Sequence, residues 1–139
     1  MKKILALLLV LVFAVPALAM PANTPKLTVD IPLHWTYKID KDYDIEIRRI
    51  AGKESVTIMA VPYEGEDIED FAEEIADGFD DADEILRVSR GVYQFLAWEN
   101  GAQFEVIVAR ERRWILTILI AGDPKSEDRD KILNSIQVK

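Results

Sequence analysis

The stretch Trp114–Ala121 constrains the fold of this chain more than any other. Its eight residues include a single polar side chain, Thr117. A strand with one face in water alternates apolar and polar residues, whereas this stretch is apolar at both sets of alternate positions. We therefore expect a central β-strand with both faces covered. The pattern predicts a layered core and does not indicate an activity.

Residues 1–19 have the pattern of a secretory signal peptide. Two lysines precede a long apolar run, and Ala17-Leu18-Ala19 offers the small residues that signal peptidase needs before a cleavage site after Ala19. An uncleaved membrane anchor is the alternative. The run is short for a bilayer span of about 20 residues, however, and Pro16 interrupts it. We therefore expect a periplasmic or secreted protein.

The rest of the chain has room for one domain. Residues 20–26 contain Pro21 and Pro25 and no periodicity, which predicts a flexible lead-in, and residues 27–139 are long enough for a single packed core. The chain contains no cysteine, so disulfides, cysteine-based metal sites and lipid attachment through cysteine are excluded. This composition favours a bacterial periplasmic protein, with stability supplied by the core.

The charge balance limits the classes of partner. The chain has 17 Lys and Arg residues against 25 Asp and Glu residues, a net charge of −8. Nucleic acid and anionic membrane surfaces are therefore poor partners. No apolar run beyond the leader approaches spanning length, so we expect no membrane insertion after cleavage. No sequence pattern predicts a cofactor.

Alternating apolar residues predict an antiparallel sheet of seven or eight strands. Short strands are expected from Leu27 onwards, and a meander of three strands is expected between Val92 and Ala121. Asn100-Gly101 is the best hairpin signal in the meander, because both residues tolerate positive φ angles. A second tight turn is expected at Glu111-Arg112.

Two helices complete the predicted domain. Apolar residues recur at helical spacing from Glu66 to Phe79, and Gly78 is placed to end this helix in a left-handed conformation. Ser126 is the expected N-cap of a terminal helix. The fold class predicted from these elements is α+β, with the antiparallel sheet flanked by the two helices. If the helices cover opposite faces of the central strand, the apolar residues at both of its sets of alternate positions are explained.

Residues 64–84 hold twelve carboxylates and no Lys or Arg. Their oxygens could bind a hard cation such as calcium, although the spacing does not match an EF-hand. The weak metal candidates are Asp77, Asp80, Asp81 and Asp83. A solvated acidic face and a surface for a basic partner are the other interpretations. The sequence leaves open whether segment 64–84 binds a cation or is only solvated.

Arginines gather beside the meander. Arg110, Arg112 and Arg113 lie at one predicted turn, with Arg87 and Arg90 nearby. They form a weak candidate for a partner-binding patch. The simpler interpretation is that these charges protect strand edges and turns from pairing with other chains.

The sequence offers no catalytic constellation. His34 is the sole histidine and is expected in a loop, so histidine-based zinc sites are excluded. No serine lies in a nucleophile-elbow pattern, and no glycine loop that binds phosphate is present. We predict that the chain is not an enzyme and nominate no catalytic residue.

The order of elements resembles the PsbP-like superfamily of small exported α+β domains. Ile31-Pro32-Leu33-His34-Trp35 is similar to the entry of such domains, and Ile132-Leu133-Asn134-Ser135-Ile136 is similar to their terminal helix. The resemblance spans nearly all of residues 27–139. It implies an accessory or binding role and transfers no functional residue. A cystatin-like fold is a less suitable alternative, because its main helix usually precedes most strands.

The leading hypothesis is an exported accessory protein of the bacterial envelope that binds another protein. The alternative is a domain that binds a small ligand or a cation such as calcium, and an enzyme of unknown reaction is third. The identity of the partner, the oligomeric state and the physiological role lie beyond what the sequence says.

Overall fold

The structure is a computed structural model that describes residues 19–139. The predicted signal peptide, residues 1–19, therefore lies outside the described residues except for Ala19. Among the described residues, no helix is long and apolar enough to cross a membrane.

The described chain forms eleven strands and two helices. The strands are β1 (Ala19–Asn23), β2 (Leu27–Pro32), β3 (Trp35–Ile39), β4 (Ile45–Arg49), β5 (Ser55–Pro62), β6 (Asp81–Ala82), β7 (Leu86–Ser89), β8 (Val92–Glu99), β9 (Ala102–Glu111), β10 (Trp114–Ala121) and β11 (Gln137–Val138). The helices are α1 (Ile68–Asp77), between β5 and β6, and α2 (Ser126–Ser135), between β10 and β11.

The strands make two sheets in which the paired strands are antiparallel. The large sheet has the order β3-β4-β5-β10-β9-β8-β6, and β7 also pairs with β8. The small sheet has the order β1-β2-β11. The predicted α+β fold with an antiparallel sheet and two helices is confirmed. The small sheet adds strands that the sequence pattern did not separate from the large one.

The predicted central strand is β10, which lies between β5 and β9. Leu116, Ile118 and Ile120 are buried on one face, which we call the first face, together with Ile132 of α2 and the buried residues of β2. Ile115 points to the second face, where it packs in the cluster that contains residues of α1. The two helices thus cover opposite faces of β10, as its pattern predicted.

The two helices cover different halves of the large sheet. On the first face, α2 and the small sheet pack over β3, β4, β5 and β10. On the second face, α1 packs over β8, β9 and β10. Each face therefore keeps one part without a helix: the first face over β7 and β8, and the second face over β3, β4 and β5.

The predicted hairpin of the meander is confirmed. Asn100 and Gly101 have φ angles of 52° and 79°, as a primed turn requires. The next turn lies one residue later than predicted: β9 continues through Glu111, and Arg112, with a φ of 54°, begins the turn. Asn, Gly and an exposed Arg thus occupy the left-handed positions.

The prediction of a flexible lead-in over residues 20–26 was wrong. Residues 19–23 form β1, which pairs with β2 along its whole length. Ala22 is buried, and Thr24 is buried with its hydroxyl donating to the carbonyl of Leu27 at 3.2 Å. Pro21 is tolerated because β1 is an edge strand, so its missing N–H costs no ladder bond.

Both predicted helix caps were also wrong. Gly78 has a φ of −76°, so α1 ends in a right-handed conformation, with the Gly78 N–H bonded to the carbonyl of Ile75 at 3.1 Å. Such short-range bonds tighten the last turn and make a left-handed residue unnecessary. Ser126 is already inside α2, and the N-cap residue is Lys125, which makes no side-chain cap bond.

Large-to-small substitutions should show that both faces of β10 are closed. We expect Ile115→Ala and Ile118→Ala each to lower the free energy of unfolding by about 2–5 kcal/mol, because each leaves a cavity in a different cluster. The control Val61→Ala, at a residue 41% exposed, should change it by about 0.5 kcal/mol. Urea denaturation measures all three. A cost for Ile115→Ala no larger than the control would contradict closure of the second face by α1.

Candidate functional site

The three arginines predicted from the sequence lie at the turn between β9 and β10 but not on one face of the sheet: Arg110 shares the second face with Ile115, and Arg113 contacts Trp114, which belongs to the first face. Arg110 lies on β9, and its guanidinium carbon is 3.9 Å from the centre of the Tyr63 ring. The guanidinium of Arg113 is 5.2 Å from the centre of the Trp114 ring, and its Nε donates to a main-chain oxygen of Lys139, the last residue of the sequence, at 3.2 Å. Aromatic faces therefore hold both guanidinium groups in place.

Arg90 belongs to the same end of the sheet. The backbone N–H of Arg110 donates to the carbonyl of Gly91 at 2.9 Å, which places the turn before β8 beside Arg110. We call Arg90, Arg110, Arg112 and Arg113 the arginine end. Within residues 19–139, no Asp or Glu side chain lies within 4.0 Å of any of these guanidinium groups. The charge of Arg90, Arg110 and Arg112 is therefore available to a group outside the chain.

The other arginines of the described chain behave differently. Arg48 pairs with Glu46, Arg49 lies 3.7 Å from Asp128, and Arg129 pairs with Glu105 and Asp130. Arg87 on β7 is the exception, since it resembles the arginine end in having no carboxylate at ion-pair distance among residues 19–139. The unpaired arginines are thus concentrated in one region of the meander.

The acidic segment borders a cleft of about 630 Å³ at the opposite end of the meander. Its lining includes the four metal candidates of the sequence, Asp77, Asp80, Asp81 and Asp83. Asp80 Oδ2 instead accepts the backbone N–H of Asn100 at 2.8 Å. In the part of the chain that the structure describes, no three acidic or histidine side chains are grouped so that they could hold a metal ion.

A second groove, of about 750 Å³, runs beside α2 on the first face. In its lining, Glu105 of β9 accepts from the amide of Gln94 at 2.7 Å and from Arg129 Nε at 3.2 Å. The hydrogen bond with Glu105 raises the pKa of Arg129, so this guanidinium stays charged. Because the ion pair joins α2 to β9, its first role is to position the helix on the sheet.

His34 lies in the turn between β2 and β3, as predicted, with a φ of 71°. Its carbonyl accepts the N–H of Ile50 at 2.9 Å.

One acidic turn was not nominated as a site by the sequence analysis. Between β3 and β4, Asp40 Oδ1 accepts the backbone N–H groups of Asp42 at 2.8 Å and Asp44 at 3.0 Å. Burial raises the pKa of Asp44, the charge of Asp40 raises it further, and Lys26 acts in the opposite direction. The alternation of three aspartates from residue 40 to residue 44 was the available signal.

The fold is similar to the solution structure of the cyanobacterial PsbP protein from Synechocystis sp. PCC 6803. The TM-score is 0.57 at 14% sequence identity, and the match covers 88% of this chain and 94% of that chain. This similarity confirms the PsbP-like resemblance at the level of the fold. Neither a protein-family model nor a curated protein matches the sequence.

Stability should depend on pH through Asp44. Its pKa is raised above 3.8 on folding, so the folded state binds more protons, and stability falls as pH rises through the folded pKa. The substitution Asp44→Asn removes this pH-dependent contribution to stability. We expect the variant to gain in Tm over the original protein at neutral pH and to lose that gain below pH 3.8.

Asp42→Asn is the matched control, because it removes the same charge from a more exposed place in the same loop. Thermal unfolding followed by circular dichroism across the pH range measures both variants. Equal pH profiles for the Asp42 and Asp44 variants would contradict the assignment to Asp44.

Proposed function

We propose that this chain is an exported accessory protein of the bacterial envelope that binds another protein through its arginine end. The observation that carries the proposal is the group of four arginines, none of which pairs with an Asp or Glu side chain among residues 19–139, in a chain of net charge −8. The leader pattern of residues 1–19 supports export. The PsbP-like fold is compatible with this role but shows no function.

Protection of sheet edges explains the arginine end less well. Arg110 lies on β9, which is an inner strand between β8 and β10 and has no open edge to protect. The rings of Tyr63 and Trp114 limit the motion of two guanidinium groups, which lowers the entropy lost on binding. Planar guanidinium groups bind carboxylates in pairs of parallel hydrogen bonds. An acidic surface of a partner protein is therefore the ligand that this site fits.

The alternative function is the binding of a small ligand or a cation such as calcium. Its support is the cleft of about 630 Å³ lined by carboxylates of segment 64–84. The absence of any metal-holding group of three among residues 19–139 makes it the weaker proposal.

Neutralising the arginine end should abolish capture of the partner. A tagged triple variant Arg110→Gln, Arg112→Gln and Arg113→Gln should recover no stoichiometric partner from a periplasmic extract, whereas the original protein recovers one that high salt releases. The loss is expected because the interaction depends on charge. Quantitative mass spectrometry of the captured proteins is the measurement.

The control variant removes three positive charges elsewhere, through Lys38→Gln, Lys41→Gln and Lys125→Gln. It should capture the partner as the original protein does, and the Tm values of all three proteins should agree within a few degrees. Equal loss in both variants would show that only net charge matters and would contradict the assigned surface.

The effect of calcium on Tm distinguishes the two proposed functions. We expect millimolar calcium and magnesium at equal ionic strength to raise Tm equally, through screening of the acidic segment. A rise specific to calcium, reversed by chelator and absent in the double variant Asp77→Asn and Asp83→Asn, would favour the alternative function.

A further inference from the structure

The predicted cleavage site of the leader lies inside a strand of the folded protein. The pattern of the leader places the cut after Ala19, and β1 comprises Ala19–Asn23. In β1, Ala19 pairs with Pro32 and Met20 pairs with Ile31. Both residues of the bond to be cut therefore belong to the small sheet.

The register of β1 engages the nitrogen of that bond in the ladder. Opposite residues of an antiparallel pair alternate between pairs that exchange both backbone hydrogen bonds and pairs that exchange none. The Thr24 N–H donates to the carbonyl of Leu27 at 2.9 Å, which makes these two residues a hydrogen-bonded pair at the turn. Four residues back along β1, Met20 and Ile31 are a pair of the same kind. The Met20 N–H thus faces the Ile31 carbonyl.

A separate contact supports the same alternation. The Asp30 N–H donates to the hydroxyl of Ser135 in α2 at 2.9 Å, so it points away from β1. Asp30 and its partner Pro21 are therefore a pair without mutual hydrogen bonds. Pro21 fits this position because its nitrogen, which carries no hydrogen, faces the open edge of the small sheet.

The rest of β1 and its turn hold the strand in the sheet. Ala22 is fully buried in the core of the first face. Thr24 is 4% exposed, and its hydroxyl oxygen accepts the N–H groups of Lys26 and Leu27, each at 3.1 Å. Lifting β1 off β2 would expose Ala22 and break the ladder. The unpaired strand is therefore a minor form of the folded protein.

Cleavage needs the bond in a different environment. Proteases bind extended segments of their substrates through main-chain hydrogen bonds, whereas β2 occupies one edge of β1 over its whole length. In the reaction, water supplies a hydroxyl to the Ala19 carbonyl carbon and a proton to the Met20 nitrogen, as the C–N bond between them breaks. That nitrogen is the one that the ladder engages.

We propose that signal peptidase removes the leader only while β1 is unpaired, so that cleavage must come before formation of the small sheet. A chain cut first begins at Met20, which then pairs with Ile31. A chain whose small sheet forms first keeps its leader. The order of the two events thus decides between a released and a leader-bearing protein. This inference rests on the predicted signal peptide and is independent of the proposed function.

Purified signal peptidase tests the proposal on the folded full chain, residues 1–139. The reference substrate is a peptide of residues 1–26, which contains the leader and β1 but lacks β2. We expect the folded chain to be cut about tenfold or more slowly than the peptide, because only its open form reacts. Gel electrophoresis measures both rates in a detergent that leaves the circular dichroism of the chain unchanged, and N-terminal sequencing identifies the bond.

Variants of β1 show whether pairing causes the difference. Ala22→Lys places a charge in a fully buried position, which loosens β1, and should speed cleavage of the folded chain about tenfold. Asn23→Lys, at an exposed position of the same strand, should change it less than about twofold. Each rate is divided by that of the peptide with the same substitution. Should Ala22→Lys not fold, Ala22→Ser buries a hydroxyl and should give a smaller rise.

Equal rates for the folded chain and the peptide would overturn the proposal, and so would equal ratios for the variants at Ala22 and Asn23. A product that begins at a residue other than Met20 would overturn it as well, because the cut bond would lie elsewhere. Failure of the enzyme to cut the peptide would remove the signal peptide on which it rests. Capture with the arginine variants judges the proposed function separately.

Discussion

The structure depends on the requirement that both faces of β10 be removed from water. Ile118 on one face is 5% exposed, and Ile115 on the other face is 1% exposed. A single helix can cover one face only, so the fold needs two separate covers. The chain supplies α1 on the second face and α2 with the small sheet on the first. The small sheet ties the start of the described chain to its end through β1, β2 and β11.

The staggered arrangement of these covers determines where functional surface can exist. Because each helix lies over a different half of the large sheet, two half-sheets are left for water or for a partner. The half over β3, β4 and β5 is mainly polar and carries surface ion pairs, which suits water. The part over β7 and β8 carries Leu86, which is 59% exposed, and Trp98, which is partly buried. Because each helix covers only part of one face, two parts of the large sheet stay uncovered. One of them is polar, and the other is partly apolar.

Charged side chains of opposite sign lie at opposite ends of the meander. The turn of β9 into β10 gathers unpaired arginines, and the other end of β9 faces the acidic cleft through Asp80 and Asn100. The two groups do not neutralise each other, since no ion pair joins them within residues 19–139. A chain with a large negative net charge therefore presents one localised positive end. Such a distribution orients an approaching partner more than it strengthens the final contact.

Short-range patterns made several elements predictable. The helix that became α1, the hairpin at Asn100-Gly101 and the meander follow from periodicity and turn chemistry, which act over a few residues. The caps were mispredicted because the geometry of a helix end depends on where the chain goes next. For Gly78, the chain turns into β6 in a right-handed conformation, which a sequence pattern does not reveal. Arg110, Arg112 and Arg113 were nominated because they are neighbours in sequence.

The sequence by itself determined that β10 would be central, that two helices would cover it, and that arginines and carboxylates would be segregated along the chain. Only the tertiary structure decided that residues 19–23 would form a strand, because β1 is stabilised by pairing with β2 and not by its own pattern. The tertiary structure also decided that the two helices would be offset over the large sheet. That outcome depends on which strands lie side by side, and strand order is a property of contacts between residues far apart in sequence.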